Sequence, residues 1–385
     1  MTGNAECPTG GYSIGLVARA EAAITGTSRY ADGLRDGLAE RGIALRIAPI
    51  DTRFLPRPVT GLARRAGLDP QRFFTHYPVR MKTPPVDAYH LTTQNLASVL
   101  MTQRLRRPTL VTVHDIIPWL VRDDRALCVY THPLHRLFDW VAMQGLRRAT
   151  GLLAVSEWTK RTLVQELGIP SKRIQVCYNG LDHELFKPHP VKAEFRERYG
   201  LPADRRYLLY VGSEDPRKNL GGLLRAFAAV RAQRPDLVLL KVGAPQEPGR
   251  RRQLQTLAGQ LGIADAVRWI DRVPDADLPG FYAASELLLM PSFYEGFGYP
   301  VLESMACGTP VVCADAASVP ELAGDAASLV DPRRPQTWVE PILTMLEDAR
   351  QRDRARERGL TRASAFTWER ASEITAGAYA ALLSR

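Results

Sequence analysis

Short apolar runs alternate along this chain with longer stretches in which apolar residues recur every three or four positions. The first half offers YSIGLVA (12–18), ALRIAPI (44–50), DAYHL (87–91), TLVTVH (109–114), GLLAVS (151–156) and IQVCYN (174–179) as strands. Between them, the segment from Thr27 to Arg41 puts Tyr30, Leu34 and Leu38 at fourfold spacing and stops at Gly42, the pattern of a helix with a glycine terminator. Ser156 is placed to cap a helix reaching about Gly168. Strands separated by amphipathic helices predict βα units around a parallel sheet.

A Pro- and charge-rich stretch from Lys187 to Arg206 reads as a join, and from Tyr207 the rhythm restarts. YLLYVG, LVLLKVG, AVRWI, ELLLMPS, TPVVCA and ASLVDP predict strands, with helices near Asn219–Ala232, Arg250–Leu261, Leu278–Ala284 and Pro300–Ala306. The predicted fold class is α/β, two Rossmann-like doubly wound domains at 1–187 and 188–365 facing a cleft. Ligands in such folds bind at the carboxyl ends of the strands.

A chain of 385 residues, 45% hydrophobic, is long enough for two cores. The N-terminus lacks the features of a secretory signal, and no run reaches the roughly 20 apolar residues of a spanning helix, which predicts a cytoplasmic protein. Cys7, Cys128, Cys177, Cys307 and Cys313 are odd in number and widely spaced, against both a disulfide framework and a zinc site. Residues 1–187 hold 25 Lys and Arg against 16 Asp and Glu, so nearly all of the net +10 sits in the first half. That half suits nucleic acid, an anionic membrane face or a phosphorylated small molecule, the alternative being an Arg-rich solvated surface.

The sharpest motif is Glu295-Gly-Phe-Gly-Tyr-Pro-Val-Leu-Glu303, followed by Gly308-Thr-Pro310. Gly296 and Gly298 allow close backbone approach, and Pro300 suits the first turn of a helix whose free N–H groups favour an anion. Glu295 and Glu303 can accept hydroxyl hydrogen bonds at opposite ends of a bound molecule, a sugar and a ribose being natural candidates. The second motif, Val211-Gly212-Ser-Glu-Asp-Pro-Arg217-Lys218-Asn219, follows a strand and opens a helix. Cations at a helix start oppose its dipole, so Arg217 and Lys218 there point to a bound diphosphate.

These motifs resemble those of family 4 of the retaining glycosyltransferases, whose two-domain fold is GT-B, and the resemblance covers nearly the whole chain. Gly26-Thr-Ser-Arg-Tyr30, Val113-His-Asp115, Val155-Ser-Glu157, Asn179-Gly-Leu-Asp182 and Phe366-Thr-Trp-Glu369 resemble the remaining family segments. The resemblance implies an acceptor-binding first domain, a nucleotide-sugar-binding second domain, and a last helix at 366–385 packing back on the first. It implies that Arg217 and Lys218 neutralise the donor diphosphate and that Glu303 holds the ribose. Glu295 and the backbone at Gly296–Gly298 would grip the sugar, and His114 would approach its reacting carbon. Gly26, Gly212, Val273, Phe297 and Leu302 complete the implied donor set. The variants His114-Asp-Ile-Ile-Pro118 and Gly212-Ser-Glu-Asp-Pro216 most resemble mannosyltransferases of surface polysaccharide, which implies GDP-mannose ahead of UDP-hexoses.

No cofactor or metal is expected, the nucleotide-sugar being a co-substrate. Asp275-Ala-Asp277 precedes a helix and reads as a cap rather than a metal motif. The stretch 54–80, with Arg57, Arg64, Arg65 and Arg72 among Phe73, Phe74 and Tyr77, reads as an acceptor or membrane loop, the alternative being a surface excursion. The expected partners are a nucleotide-sugar donor, a glycan or lipid-linked acceptor and an anionic surface at the inner membrane face. Nucleic acid is not expected, because no recognition-helix or aromatic-interleaved basic motif occurs. Rival readings are a UDP-sugar transferase, a sugar-nucleotide epimerase and an inactive scaffold of the same fold. An NAD enzyme lacks its GxGxxG after the first strand.

Overall fold

A computed structural model describes residues 11–18, 26–51, 69–130, 132–246 and 249–384. Every expected apolar run contains a strand. In the first half these are β1 Ser13–Val17, β2 Ala44–Ile47, β3 Ala88–Leu91, β4 Thr109–Val113, β5 Gly151–Ala154 and β6 Ile174–Val176. In the second they are β7 Arg206–Val211, β8 Leu237–Val242, β9 Val267–Ile270, β10 Leu287–Met290, β11 Val311–Ala314 and β12 Ser328–Val330. The helices used below are α1 Gly26–Glu40, α2 Pro133–Arg148, α3 Glu157–Leu167, α4 Leu220–Gln233, α5 Leu278–Ala284, α6 Tyr299–Ala306 and α7 Trp368–Leu383.

The strands form two six-stranded sheets, ordered β2-β1-β3-β4-β5-β6 and β12-β11-β10-β7-β8-β9. Neighbours pair in parallel throughout. In the second sheet the chain runs outward from β7 through β8 to β9, then returns to place β10 on the other side of β7. The loops leaving β7 and β10 therefore flank the point where strand order reverses, the place where doubly wound sheets bind ligands.

The chain forms two compact units, one of Met1–Gly180 with Trp368–Arg385 and the other of Leu181–Thr367. The stretch 187–206 belongs wholly to the second. Its helix Ala193–Tyr199 sets the Phe195 ring 5.0 Å from Phe281, and the Tyr199 hydroxyl donates to Asp277 Oδ2 over 2.6 Å. That bond corrects the expected role of Asp275-Ala-Asp277: Asp277 stands at the N-cap of α5 but makes no side-chain capping bond, because its carboxylate serves Tyr199 and Arg198 instead.

In the first unit, Tyr30, Leu34 and Leu38 of α1 pack with Tyr379 and Leu382 of α7 on one face of the sheet. The other face is covered by a core that includes Phe73 and Tyr77. Those two rings are buried, and the Phe73 ring lies 4.9 Å from Phe138 of α2. The aromatic end of the stretch expected to be an acceptor or membrane loop is thus core. Its apolar rings find a hydrophobic layer to join, and Pro70–His76 is helical.

Candidate active site

The turn after β7 begins with Gly212, whose amide donates to the Val242 carbonyl. Gly243 sits against it at φ +127, and a Cβ there would lie 2.4 Å from the Gly212 carbonyl oxygen. Only glycine permits that approach. Asp215 then caps a short 3-10 turn, Pro216–Lys218, by accepting from the Arg217 amide over 2.9 Å. Asn219 adopts a left-handed conformation at φ 54 and α4 starts at Leu220. Arg217 and Lys218 accordingly lie in the turn before the helix rather than in its first turn.

The loop leaving β10 is laced to this turn. The Phe293 amide donates to the Arg217 carbonyl, and the Arg217 guanidinium donates to the Tyr294 carbonyl over 2.9 Å. The buried Glu295 carboxylate receives Lys218 Nζ at 2.6 Å and the Ser292 hydroxyl at 2.8 Å, both on Oε1, and Arg217 at 3.4 Å on Oε2. Burial by itself raises the Glu295 pKa, but Lys218, Arg217 and the hydrogen bond from Ser292 outweigh it and hold the carboxyl below its ordinary value. The result is two cations and two carboxylates fixed in a single cluster, since Asp215 Oδ2 also lies 3.6 Å from the Arg217 guanidinium.

Beyond Glu295, Gly298 takes φ +116 and forms the N-cap of α6, with Pro300 in the first turn as expected. The Ser318 hydroxyl stands 2.8 Å from the Glu295 carbonyl and 2.7 Å from the Phe297 carbonyl, pinning the glycine loop from the side. Asn219 Nδ2 performs a similar role, donating to the carbonyls of Pro291 and Pro332. Glu303 is buried on α6 and accepts the Tyr282 hydroxyl at 2.6 Å. Leu302 is wholly buried and Phe297 nearly so, while Val273 is half-buried in the loop after β9.

A second buried ion cluster supports the turn. Lys241 lies inside the apolar run of β8, fully buried, with its ammonium 2.8 Å from Glu214 Oε1, which Arg251 also contacts. Desolvation lowers the Lys241 pKa against the pull of Glu214. Sequence reasoning quoted Asn219 only as the end of its motif and passed over Ser318, Tyr282 and Lys241. The signal was present only for the last, a lone charge amid LVLLKV.

In the first unit His114 directly follows β4. Its Nε2 lies 2.9 Å from the Thr92 carbonyl oxygen; a carbonyl only accepts, so Nε2 carries the proton in that bond. The Tyr30 ring meets the His114 ring edge-on at 5.0 Å. Asp115 Oδ1 accepts from the Ile117 amide at 2.9 Å. Behind Tyr30 runs a fully buried chain: Tyr30 OH to Thr112 Oγ1 at 2.7 Å, Thr112 Oγ1 to His90 Nε2 at 2.8 Å, and His90 Nδ1 to Tyr379 OH at 2.6 Å. Desolvation, with His114 nearby, lowers the His90 pKa to about 3. Gly26 is the first residue of α1. Arg57, Arg64 and Arg65 lie outside the described residues, and Arg72 is on the helix Pro70–His76.

Residues 191–362 match the family described as glycosyl transferases group 1, and residues 24–185 match glycosyltransferase family 4. The chain is 33% identical over 296 residues to O-antigen chain mannosyltransferase B of Escherichia coli, covering 72% of this chain and 71% of that one. The chain belongs to family 4 of the glycosyltransferases. This family 4 glycosyltransferase is also 35% identical over 245 residues to a D-inositol 3-phosphate glycosyltransferase of Thermobispora bispora, over 62% of its own length and 57% of that protein's. Other relatives of that name are matched over 54% to 63% of their length. In fold it is similar to sucrose-phosphate synthase from Thermosynechococcus elongatus, with TM-score 0.73 at 22% identity over 97% of this chain and 99% of that one. It is likewise similar to Anabaena HepE, solved with UDP and glucose, at 0.72 and 20% over 96% and 100%. These likenesses give the family 4 glycosyltransferase the GT-B fold.

Proposed function

We propose that this chain is a retaining, metal-independent hexosyltransferase that moves mannose from GDP-mannose to a glycan or lipid-linked acceptor in surface polysaccharide or glycolipid synthesis. The observation that carries the reading is the cluster of Arg217, Lys218 and Glu295 on the two loops that flank the reversal of strand order. Breaking the bond from the anomeric carbon to the diphosphate oxygen places negative charge on the leaving group. A guanidinium and an ammonium already fixed in a tight turn stabilise that charge more than they stabilise the ground state. Glu295 holds both cations in place and offers its carboxylate to sugar hydroxyls, while Glu303, oriented by Tyr282, accepts from the ribose.

The acceptor oxygen attacks on the face the diphosphate leaves, and its proton passes to the departing phosphate oxygen, so atoms and charge balance without a metal and the configuration is kept. His114, with Nε2–H committed to the Thr92 carbonyl, is the residue that the resemblance to family 4 assigns to the sugar's reacting carbon. The mannose assignment draws on the name of the Escherichia coli relative. A second reading, a UDP-sugar donor, draws on HepE, whose structures hold UDP and UDP-glucose. A lipid-linked acceptor implies work at the inner membrane face, to which the basic first half is suited.

The test is release of nucleoside diphosphate from GDP-mannose and from UDP-hexoses, with and without acceptor extract. The reading expects release that depends on acceptor, survives EDTA and yields a first-formed product with the donor's anomeric configuration by NMR. Release without acceptor, loss in EDTA or an inverted product each removes the corresponding part.

A further inference from the structure

Among the described residues five large hydrophobic side chains are exposed, and three of them, Leu134, Leu137 and Trp140, belong to α2. At 3.6 residues per turn their spacing of three places them within an arc of about 120°. Their exposures of 37%, 50% and 44% are those of side chains facing solvent, not of core residues at an edge. The opposite face, with Ala142, Met143, Gly145 and Leu146, is buried. This helix therefore has apolar residues on both faces, one covered by its own unit and one not.

The exposed charges carried by α2 itself have one sign. On α2 the exposed charged residues are Arg136, Arg147 and Arg148. The helix's one acidic residue, Asp139, is buried and accepts the Tyr130 hydroxyl. Arg147 and Arg148, at the C-terminal end of the same helix, donate to the carbonyls of Leu167 and Leu100. Two exposed carboxylates, Asp123 and Asp124, precede the helix, and Asp123 is paired with Arg136 at 2.9 Å. A stripe of two leucines and a tryptophan bordered by arginines matches a surface that is anionic outside and apolar a few ångströms deeper.

We propose that the solvent face of α2 is a membrane-docking surface, lying in the plane of an anionic phospholipid bilayer with Leu134, Leu137 and Trp140 inserted and Arg136, Arg147 and Arg148 at the headgroups. The proposal rests on the peripheral-membrane reading above, but not on the identity of donor or acceptor.

The full chain is tested by co-sedimentation with vesicles of phosphatidylcholine alone and of phosphatidylcholine mixed with phosphatidylglycerol. Tryptophan emission is followed in parallel, and the Trp140→Phe variant isolates the contribution of that ring. Binding to the anionic vesicles, weakened by salt, with a blue shift absent from Trp140→Phe, is expected. Leu137→Gln combined with Trp140→Gln should lower the partition by about tenfold or more, at unchanged melting temperature. Equal binding by the double variant overturns the α2 assignment while leaving a peripheral protein. No binding by the unaltered chain overturns both. Self-association that the double variant abolishes assigns the stripe to a second copy of the chain and also overturns the proposal.

Discussion

The Lys218 ammonium donates to the Glu295 carboxylate over 2.6 Å, joining the turn after β7 to the loop after β10. Both partners are largely removed from water, with Lys218 side-chain exposure at 15% and Glu295 at 8%, so the pair resists screening. Removing Lys218 leaves the buried Glu295 with the longer 3.4 Å contact to Arg217 and the Ser292 hydroxyl. Lys218→Ala should cost about 3 kcal/mol of stability, the low end for such a break because Arg217 and Ser292 remain on Glu295. Lys218→Met with Glu295→Gln should recover most of that loss in urea unfolding. In turnover the single variant should lose about 10- to 150-fold in kcat/KM, the worth of one charge-assisted bond. Full stability loss in the double variant would show that the pair is not the unit.

Ser318→Ala removes the hydroxyl that faces the carbonyls of Glu295 and Phe297. Two buried acceptors then share no donor, a loss of about 1–3 kcal/mol in unfolding free energy. The glycine loop is freed at the same time, so KM for the donor should rise more than kcat falls. A stability loss with KM unchanged would separate the loop from donor binding.

Gly243→Ala forces a side chain into the Gly212 carbonyl at a backbone angle that L residues rarely adopt. Gly249→Ala also sits at positive φ, 89, but has open space around it. Thermal melting should show a clearly larger loss for Gly243→Ala, by about 2 kcal/mol or more. Equal losses would mean the contact with Gly212 is relieved at no cost.

His90 titrates near 6.5 when unfolded and near 3 when folded. A depressed folded pKa contributes stability that is fully present above pH 6.5 and is lost as the pH falls toward 3. Over that window the loss runs at about 1.4 kcal/mol per pH unit. Asp139, raised to about 6 by burial, acts in the opposite direction between roughly pH 6 and 4 and is common to both proteins. His90→Gln should therefore lose less stability on acidification than the unaltered chain. Parallel pH profiles would remove His90 from the account.

The inner strands were legible because they are short, mainly apolar runs buried in the sheet, as in TLVTV of β4 and LLLM of β10, the pattern in which parallel strands stand out. The edge strand β2, ALRI, is by contrast largely exposed. Helix α2 was not legible, since its exposed Leu134, Leu137 and Trp140 erase the polar stripe that marks an amphipathic helix. In the site, Arg217, Lys218, Glu295 and Glu303 stand in local motifs with glycine and proline around them. Their supports come from far along the chain: Ser318 lies 23 residues from Glu295, and Tyr282 lies 21 from Glu303. No local pattern sets a serine or tyrosine apart as a support until the fold brings it there. Thr112, His90 and Tyr379 were hidden for the same reason, being polar residues inside apolar elements whose partners lie on other strands and on the last helix.

The central claim is that the Arg217–Lys218–Glu295 cluster receives the diphosphate of a nucleotide-sugar. It is tested most directly by thermal shift with GDP-mannose, UDP-hexoses and the free nucleoside diphosphates, on the unaltered chain and on Lys218→Ala. At a hundred times its dissociation constant the donor should add about 2.7 kcal/mol of stability, and that increment should disappear in the variant. An equal shift in both proteins, or none with any donor or nucleoside diphosphate, would contradict the claim.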